Sequence, residues 1–217
     1  MAKVPLAGTV KTRLLPALSP EKCAELARAF LLDTVNKAES VCENIILAYS
    51  PAAEIELLKK IVPSENNFLE QKGADLGEKM FKAFEFAFAR QTDSAVVMIG
   101  TDSPHFPAEV IEEAFEYLET GAEIVLGKTP DGGFYLIGLK KILPDLFDRI
   151  EWSTPSVFAE LSRNLEKLKI GEPKLVPPCF DVDTPTDLRR LREEISENRS
   201  MQKIAPETYQ WLISNLA

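Results

Sequence analysis

The chain has 217 residues, 45% of them hydrophobic and 27% charged, which is enough for a full hydrophobic core and ordinary for a globular protein. Its net charge of −9 argues against a general nucleic-acid-binding face, and no apolar run has membrane-spanning length or the form of a secretory leader. A single histidine, His105, excludes a histidine-rich metal centre, and three scattered cysteines, Cys23, Cys42 and Cys179, read as reduced thiols of a cytoplasmic protein.

The first stretch, Met1 to Pro16, carries Lys3, Lys11 and Arg13 and no acid; the first acid is Glu21. Gly8 lets the backbone approach a ligand closely, and Lys11 and Arg13 can neutralise phosphate oxygens. The competing reading is a solvated basic arm. No glycine precedes Lys11-Thr12, so this is not a Walker loop. Ser19-Pro20-Glu21 opens a helix to about Val41, with Leu26 and Phe30, and Ala27, Leu31 and Val35, at helical spacing. Asn44 to Ser50 reads as a strand, Ala53 to Val62 as a short helix and Asn67 to Gln71 as a weak strand. Gly73-Ala-Asp-Leu-Gly-Glu-Lys-Met80 opens a further helix through Phe84 and Phe88. Turn and cap chemistry explains its two glycines and Asp75; the alternative is a wall beside a nucleotide base.

Ala95 to Ile99 is a short β-branched run that reads as a buried strand of a parallel sheet. Its carboxyl end delivers Thr101, Asp102 and Ser103 into a turn, where open α/β sheets bind ligands. A carboxylate there is placed to hold a divalent cation, and Asp102 is expected to do so. Pro107 begins a helix to Thr120, and His105, in the turn before it, is given no role. Glu123–Gly127 and Phe134–Leu139 read as strands around Thr129-Pro-Asp-Gly-Gly133. That turn is a hairpin signal, and equally its glycines leave room for a substrate beside Asp131.

Glu151-Trp-Ser-Thr154 precedes a helix over Pro155 to Leu168, capped by Ser153 or Thr154. Trp152 is either a core residue or a flat surface for a sugar or base. In Asp181-Val-Asp-Thr-Pro-Thr-Asp187, Thr184, Pro185 and Asp187 form a capping box, which leaves the carboxylate of Asp183 without a structural explanation. From Leu188 onward one charged helix and one amphipathic helix, around Tyr209, Trp211 and Leu212, are expected. No linker or repeat interrupts residues 1–217, so a single domain is expected.

Taken together, Ala2–Leu14, Phe30–Thr34, Gly73–Met80, Ile99–Pro104, Asp131–Gly138, Trp152–Thr154 and Asp181–Leu188 resemble the bacterial selenodomain-associated or radical-enzyme-associated transferases, a family of unknown function. These are similar to nucleotide-diphospho-sugar transferases of the glycosyltransferase-A type. The resemblance implies a three-layer α/β/α sandwich with a mostly parallel central sheet. It implies that Gly8, Lys11 and Arg13 lie at nucleotide phosphates and Asp102 at a metal. Asp183 matches the position where related nucleotidyltransferases carry an Asp or Asn, as the second metal ligand. Asp75 would lie near the base, with Asp131, Gly132, Gly133, Phe134 and Trp152 on the acceptor side. Family members carry an apolar strand before the position of Ala2–Pro5, so a truncated first strand with unpaired edges is expected here.

Three functions follow as expectations. The leading one is transfer of a sugar from a nucleotide diphosphate donor to a small acceptor, with Mg2+ or Mn2+ on Asp102 and Asp183, and Asp131 or Glu151 as base. The second is nucleotidyl transfer from a nucleoside triphosphate with loss of pyrophosphate. The third is a non-catalytic nucleotide-binding accessory protein.

Overall fold

The computed structural model describes residues 1–62, 67–90 and 95–216. Its helices and strands, in chain order, are β1 (Ala2–Lys3), α1 (Pro20–Val41), β2 (Ile46–Ser50), α2 (Ile55–Ile61), β3 (Asn67–Glu70), α3 (Leu76–Arg90), β4 (Val96–Ile99), α4 (Glu109–Glu119), β5 (Ile124–Lys128), β6 (Phe134–Leu139), α5 (Val157–Lys167), β7 (Lys174–Val176), α6 (Pro185–Glu197), α7 (Arg199–Ile204) and α8 (Pro206–Asn215). Among the described residues no helix is long and apolar enough to cross a membrane. The chain forms two compact units: Met1–Phe68 with Gly100–Ala108 and Asp181–Ala217, and Leu69–Ile99 with Glu109–Phe180.

In the first unit β1 pairs in parallel with β2, Ala2 facing Tyr49 and Lys3 facing Ser50. The expected bare edge is therefore partly occupied: two residues suffice to extend the ladder, and Val4 adds a hydrogen bond to the Ser50 carbonyl at 2.8 Å. Ala2, Val4, Leu31, Val35, Leu47, Tyr49, Leu58 and Ile61 form one buried cluster. α1 starts as its sequence demands. The Ser19 side chain accepts from Lys22 N, and Pro20 takes the first turn, where its missing N–H costs nothing.

α1 also buries two charged residues. Asp33 accepts from the backbone N–H groups of Glu207 and Thr208, at 3.0 and 2.8 Å, and so caps α8 from outside. Lys37 donates to the Pro104 carbonyl at 2.9 Å and lies 3.8 Å from the centroid of the Phe106 ring. It thereby pins the segment that carries Asp102. The C-terminal stretch forms three helices where two were expected. Asn198 accepts from Ser200 N and Met201 N to start α7, and Pro206 begins α8.

In the second unit the strand order is β4-β6-β5-β7. β6 is antiparallel to both β4 and β5, while β5 and β7 are parallel. Three of the four strands thus run one way and β6 runs against them. The expected α/β class holds, but β4 is not flanked by a parallel neighbour at β6. The physical reason is the tight turn after β5, which can only return the chain antiparallel. β4 is also half-buried along its length rather than buried. β7 was not anticipated. It is an edge strand of three residues, with Lys174 and Leu175 exposed, so no alternation marks it. α5 begins at Val157, two residues later than expected, and without a side-chain cap. The hydroxyls of Thr154 and Ser156 instead bond one another at 2.7 Å, and Ser156 donates to Glu160 at 2.8 Å.

Removing the carboxylate that caps α8, as Asp33→Ala, is expected to lower the unfolding free energy by about 2 kcal/mol, the worth of charge-assisted hydrogen bonds to two helix-end N–H groups, that of Thr208 being buried. Urea unfolding followed by circular dichroism measures it, and a loss below about half a kcal/mol would contradict this account of the cap.

Candidate functional site

Three separated stretches of the first unit converge. The turn after Gly100 presents Asp102, and the Asp102 carbonyl accepts from Val182 N at 2.9 Å, which aligns it with the chain entering α6. The Thr184–Asp187 capping box then fixes the helix start immediately beyond Asp183. The third stretch is the loop after β1, where Gly8 adopts φ 77° and Lys11 adopts φ 49°. A positive φ is costly for a lysine, and such residues concentrate at functional sites. The space beside Gly8 is open: a Cβ placed there would meet no atom within 4 Å.

Lys11 is the hub. Its ammonium pairs with Asp102 Oδ1, donates to the Val182 carbonyl at 2.9 Å and lies 3.4 Å from Asp183 Oδ1. It also stands 5.1 Å from the centroid of the Phe30 ring. Its side chain is 5% exposed, whereas those of Asp102 and Asp183 are 52% and 40% exposed. Arg13 reaches the other oxygen of Asp183 at 3.6 Å and is itself 68% exposed. The structure therefore brings Lys11, Arg13, Asp102 and Asp183 together, with Gly8 in the same loop. Among the described residues no group of three His, Cys, Asp or Glu side chains is arranged to hold a metal. Any ion between Asp102 and Asp183 would draw its other ligands from substrate and water.

Asp181 belongs to this site and was not singled out by sequence. Ser103 Oγ donates to its Oδ1 at 2.5 Å, tying the Asp102 turn to the segment that carries Asp183. Burial, with the nearby charges of Asp102 and Asp183, pushes its carboxyl up to about 6, against the opposing Ser103 bond and Lys11 charge. The signal available was the alternation Asp181-Val182-Asp183, which puts two acids on one side of an extended chain. His105 is buried, and desolvation with the charges of Lys37 and Arg190 lowers its pKa to about 3, so it stays neutral and fits no acid–base role at neutral pH.

The remaining predicted residues lie in the second unit. Asp75 Oδ1 accepts from Glu78 N at 2.8 Å, and Glu78 accepts in return from Ala74 N at 2.7 Å, a reciprocal cap at the start of α3. Asp131 Oδ1 accepts from the Thr129 hydroxyl and from Gly133 N, so this carboxylate folds its own turn. The space beside Gly132 is filled: a Cβ there would stand 2.2 Å from the Pro155 carbonyl oxygen. At Gly133 a Cβ would stand 3.0 Å from Thr129 Oγ1. Trp152 packs edge-on to Phe134 at 6.4 Å and tilted to Phe147 at 6.1 Å, with Gly77 bare beneath its indole. The backbone N–H of Glu151 donates to Glu160 at 2.7 Å, and its side chain is exposed. A groove lined by Leu69, Lys72, Lys79, Lys82 and Phe86 contains none of these residues.

Residues 32–154 match the family described as "Uncharacterized protein conserved in bacteria" (DUF2064). A crystal structure from Desulfovibrio desulfuricans G20, named a "putative nucleotide-diphospho-sugar transferase", superimposes with a TM-score of 0.90 at 32% identity, over 99% of this chain and 92% of that one. The 4-diphosphocytidyl-2C-methyl-D-erythritol synthase of Anaerococcus prevotii superimposes with a TM-score of 0.57 at 13% identity, over 78% of this chain and 88% of that one. CMP:2-keto-3-deoxy-manno-octonic acid synthetase, complexed with CTP, does so with a TM-score of 0.53 at 10% identity, over 77% of this chain and 88% of that one. The last two are likenesses of fold. No curated protein matches the sequence.

The Asp181 carboxyl sets a pH dependence. Folded, it keeps its proton up to about pH 6; unfolded, it releases it near the ordinary 3.8. Between those values the folded state binds more protons, so Asp181 makes stability fall as pH rises through that window. Asp181→Asn, which mimics the protonated acid, is expected to melt above wild type at pH 7.5. That advantage should shrink as pH falls from about 6 to 4. Thermal melts across pH 4 to 8 measure it, and a difference independent of pH would contradict the assignment.

Proposed function

The chain belongs to the DUF2064 family, and we propose that it transfers a sugar from a nucleotide diphosphate donor to a small acceptor, with Mg2+ or Mn2+ as cofactor. The observation that carries the proposal is the meeting of Lys11, Arg13, Asp102 and Asp183 at one place in the first unit. Two carboxylates and a guanidinium at one site suit a metal-bound diphosphate better than either a free anion or a free cation. The 32% identity to the Desulfovibrio protein, under its own name, points the same way.

The residues fit a hard cation. Asp102 and Asp183 already share one positive charge, the Lys11 ammonium, and both remain substantially exposed. Their donors are oxygens, and magnesium is commonly held by one or two carboxylates with phosphate and water completing the shell. When bound, the ion would take up charge developing on the departing diphosphate. Arg13 would hold phosphate oxygens through its guanidinium. Gly8, with its open Cβ side, would let the backbone come close to the same phosphates. Ser103 and Asp181 position the two acid-bearing segments. The sequence offers Asp131 and Glu151 as candidate bases, and both lie in the second unit. Asp131 spends one oxygen within its turn, which leaves Glu151 the freer of the two.

Thermal shift with MnCl2 and uridine, guanosine and cytidine diphosphate sugars tests the proposal. One donor is expected to raise the melting temperature in a manner reversed by chelator. Asp102→Asn and Asp183→Asn should each abolish that rise while folding normally. Stabilisation by nucleoside triphosphates alone would instead support nucleotidyl transfer, and chelator-insensitive stabilisation would support a non-catalytic nucleotide-binding role.

A further inference from the structure

We infer that the Lys11 ammonium and the divalent cation are alternative occupants of one carboxylate cradle, and that this exchange couples metal binding to diphosphate binding. The inference rests on the reading of Asp102 and Asp183 as metal ligands. An ammonium has three N–H donors and no acceptor. Lys11 has three oxygens to serve: Asp102 Oδ1, the Val182 carbonyl and Asp183 Oδ1. Every donor is engaged, and the side chain is 5% exposed. Lys11 therefore has no N–H left for a phosphate while it stays where it is. A dication taking the same two carboxylate oxygens would stand within a few ångströms of the ammonium, and the two charges would repel in a partly dry site.

Lys11 must then leave when the metal arrives. It stands on a loop between β1 and α1, at the end of a four-carbon stem that can re-aim its head. A displaced ammonium needs a new anionic partner, since a buried unpaired charge is costly. A diphosphate entering with the metal supplies one. The free protein thus holds its acids closed on an internal cation. Metal alone gains the carboxylates only by stranding Lys11, whereas metal with diphosphate gains them and satisfies Lys11 together. Two ligands that each favour the same displaced state bind with positive coupling. The cradle is accordingly selective for the metal–diphosphate complex over the bare metal.

The test is equilibrium dialysis of the full chain with MnCl2, with and without inorganic pyrophosphate, counting protein-retained manganese. Wild type is expected to hold manganese about tenfold more tightly when pyrophosphate is present. Lys11→Met, which keeps the stem and removes the charge, should hold manganese alone about fivefold or more tightly than wild type, and pyrophosphate should then add little. Lys11→Arg, which keeps the charge, should bind manganese alone no better than wild type. The manganese-induced rise in melting temperature follows the same order and reads out even in a destabilised variant. The inference is overturned if Lys11→Met binds manganese alone no more tightly than wild type, or if it keeps the wild-type pyrophosphate effect. If Asp102→Asn retains manganese as wild type does, or wild type retains none under either condition, the metal reading falls and the exchange falls with it.

Discussion

One nearly buried ammonium decides how the acidic cluster of the first unit exists at all. Asp102 and Asp183 arrive from separate stretches of the sequence, and Asp181 adds a third carboxyl beside them. Gathered without a cation, these groups would repel across a short distance. Lys11 lies against two of them and a carbonyl, from a backbone conformation that few lysines adopt. The surrounding scaffold is built to hold that meeting in place. Lys37 pins one segment, the Thr184–Asp187 box fixes another, and the Ser103–Asp181 bond ties the two.

The parts of this arrangement that were legible in sequence are those governed by local rules. Ser19-Pro20 and Thr184-Pro185 announce helix starts, and the helices begin there. Asp102 stood out because a strand ends before it, and Asp183 because capping accounted for every polar neighbour except it. The basic character of the first loop marked Lys11 and Arg13 for an anion. What composition could not reveal is that Lys11 spends its donors on the protein's own oxygens, because its partners lie 91 and 172 residues away. Asp181 was passed over for a related reason. Its weakened acidity comes first from burial, with the charges of Asp102 and Asp183 adding to it and the Ser103 bond opposing it, and burial leaves no local mark.

In the second unit the residues singled out from sequence have local structural roles as well. Asp131-Gly132-Gly133 looked equally like a hairpin and like a substrate wall. The turn uses them visibly: the Asp131 carboxylate accepts from Gly133 N, and the Pro155 backbone fills the space that Gly132 leaves. Asp75 likewise caps α3. The partners of Asp131 and Asp75 are local, Thr129, Gly133 and Glu78, and tertiary packing brings the Pro155 backbone beside Gly132. β7 escaped notice because an edge strand of three residues, two of them exposed, offers no periodic pattern.

The first unit is stitched from three stretches, residues 1–68, 100–108 and 181–217, with the second unit's residues intervening. Vectorial synthesis therefore makes the basic loop before its acidic counterparts. During translation Lys11 stays solvated until the Asp102 turn emerges, and its coordination is complete only after Asp183 has left the ribosome. Long-separation contacts of this kind form slowly, since the loop entropy must be overcome before they contribute. The consequence is a built-in order of maturation: β5, β6 and α5 can assemble while the chain is still growing, and the acidic cradle can close only after Asp183 has emerged.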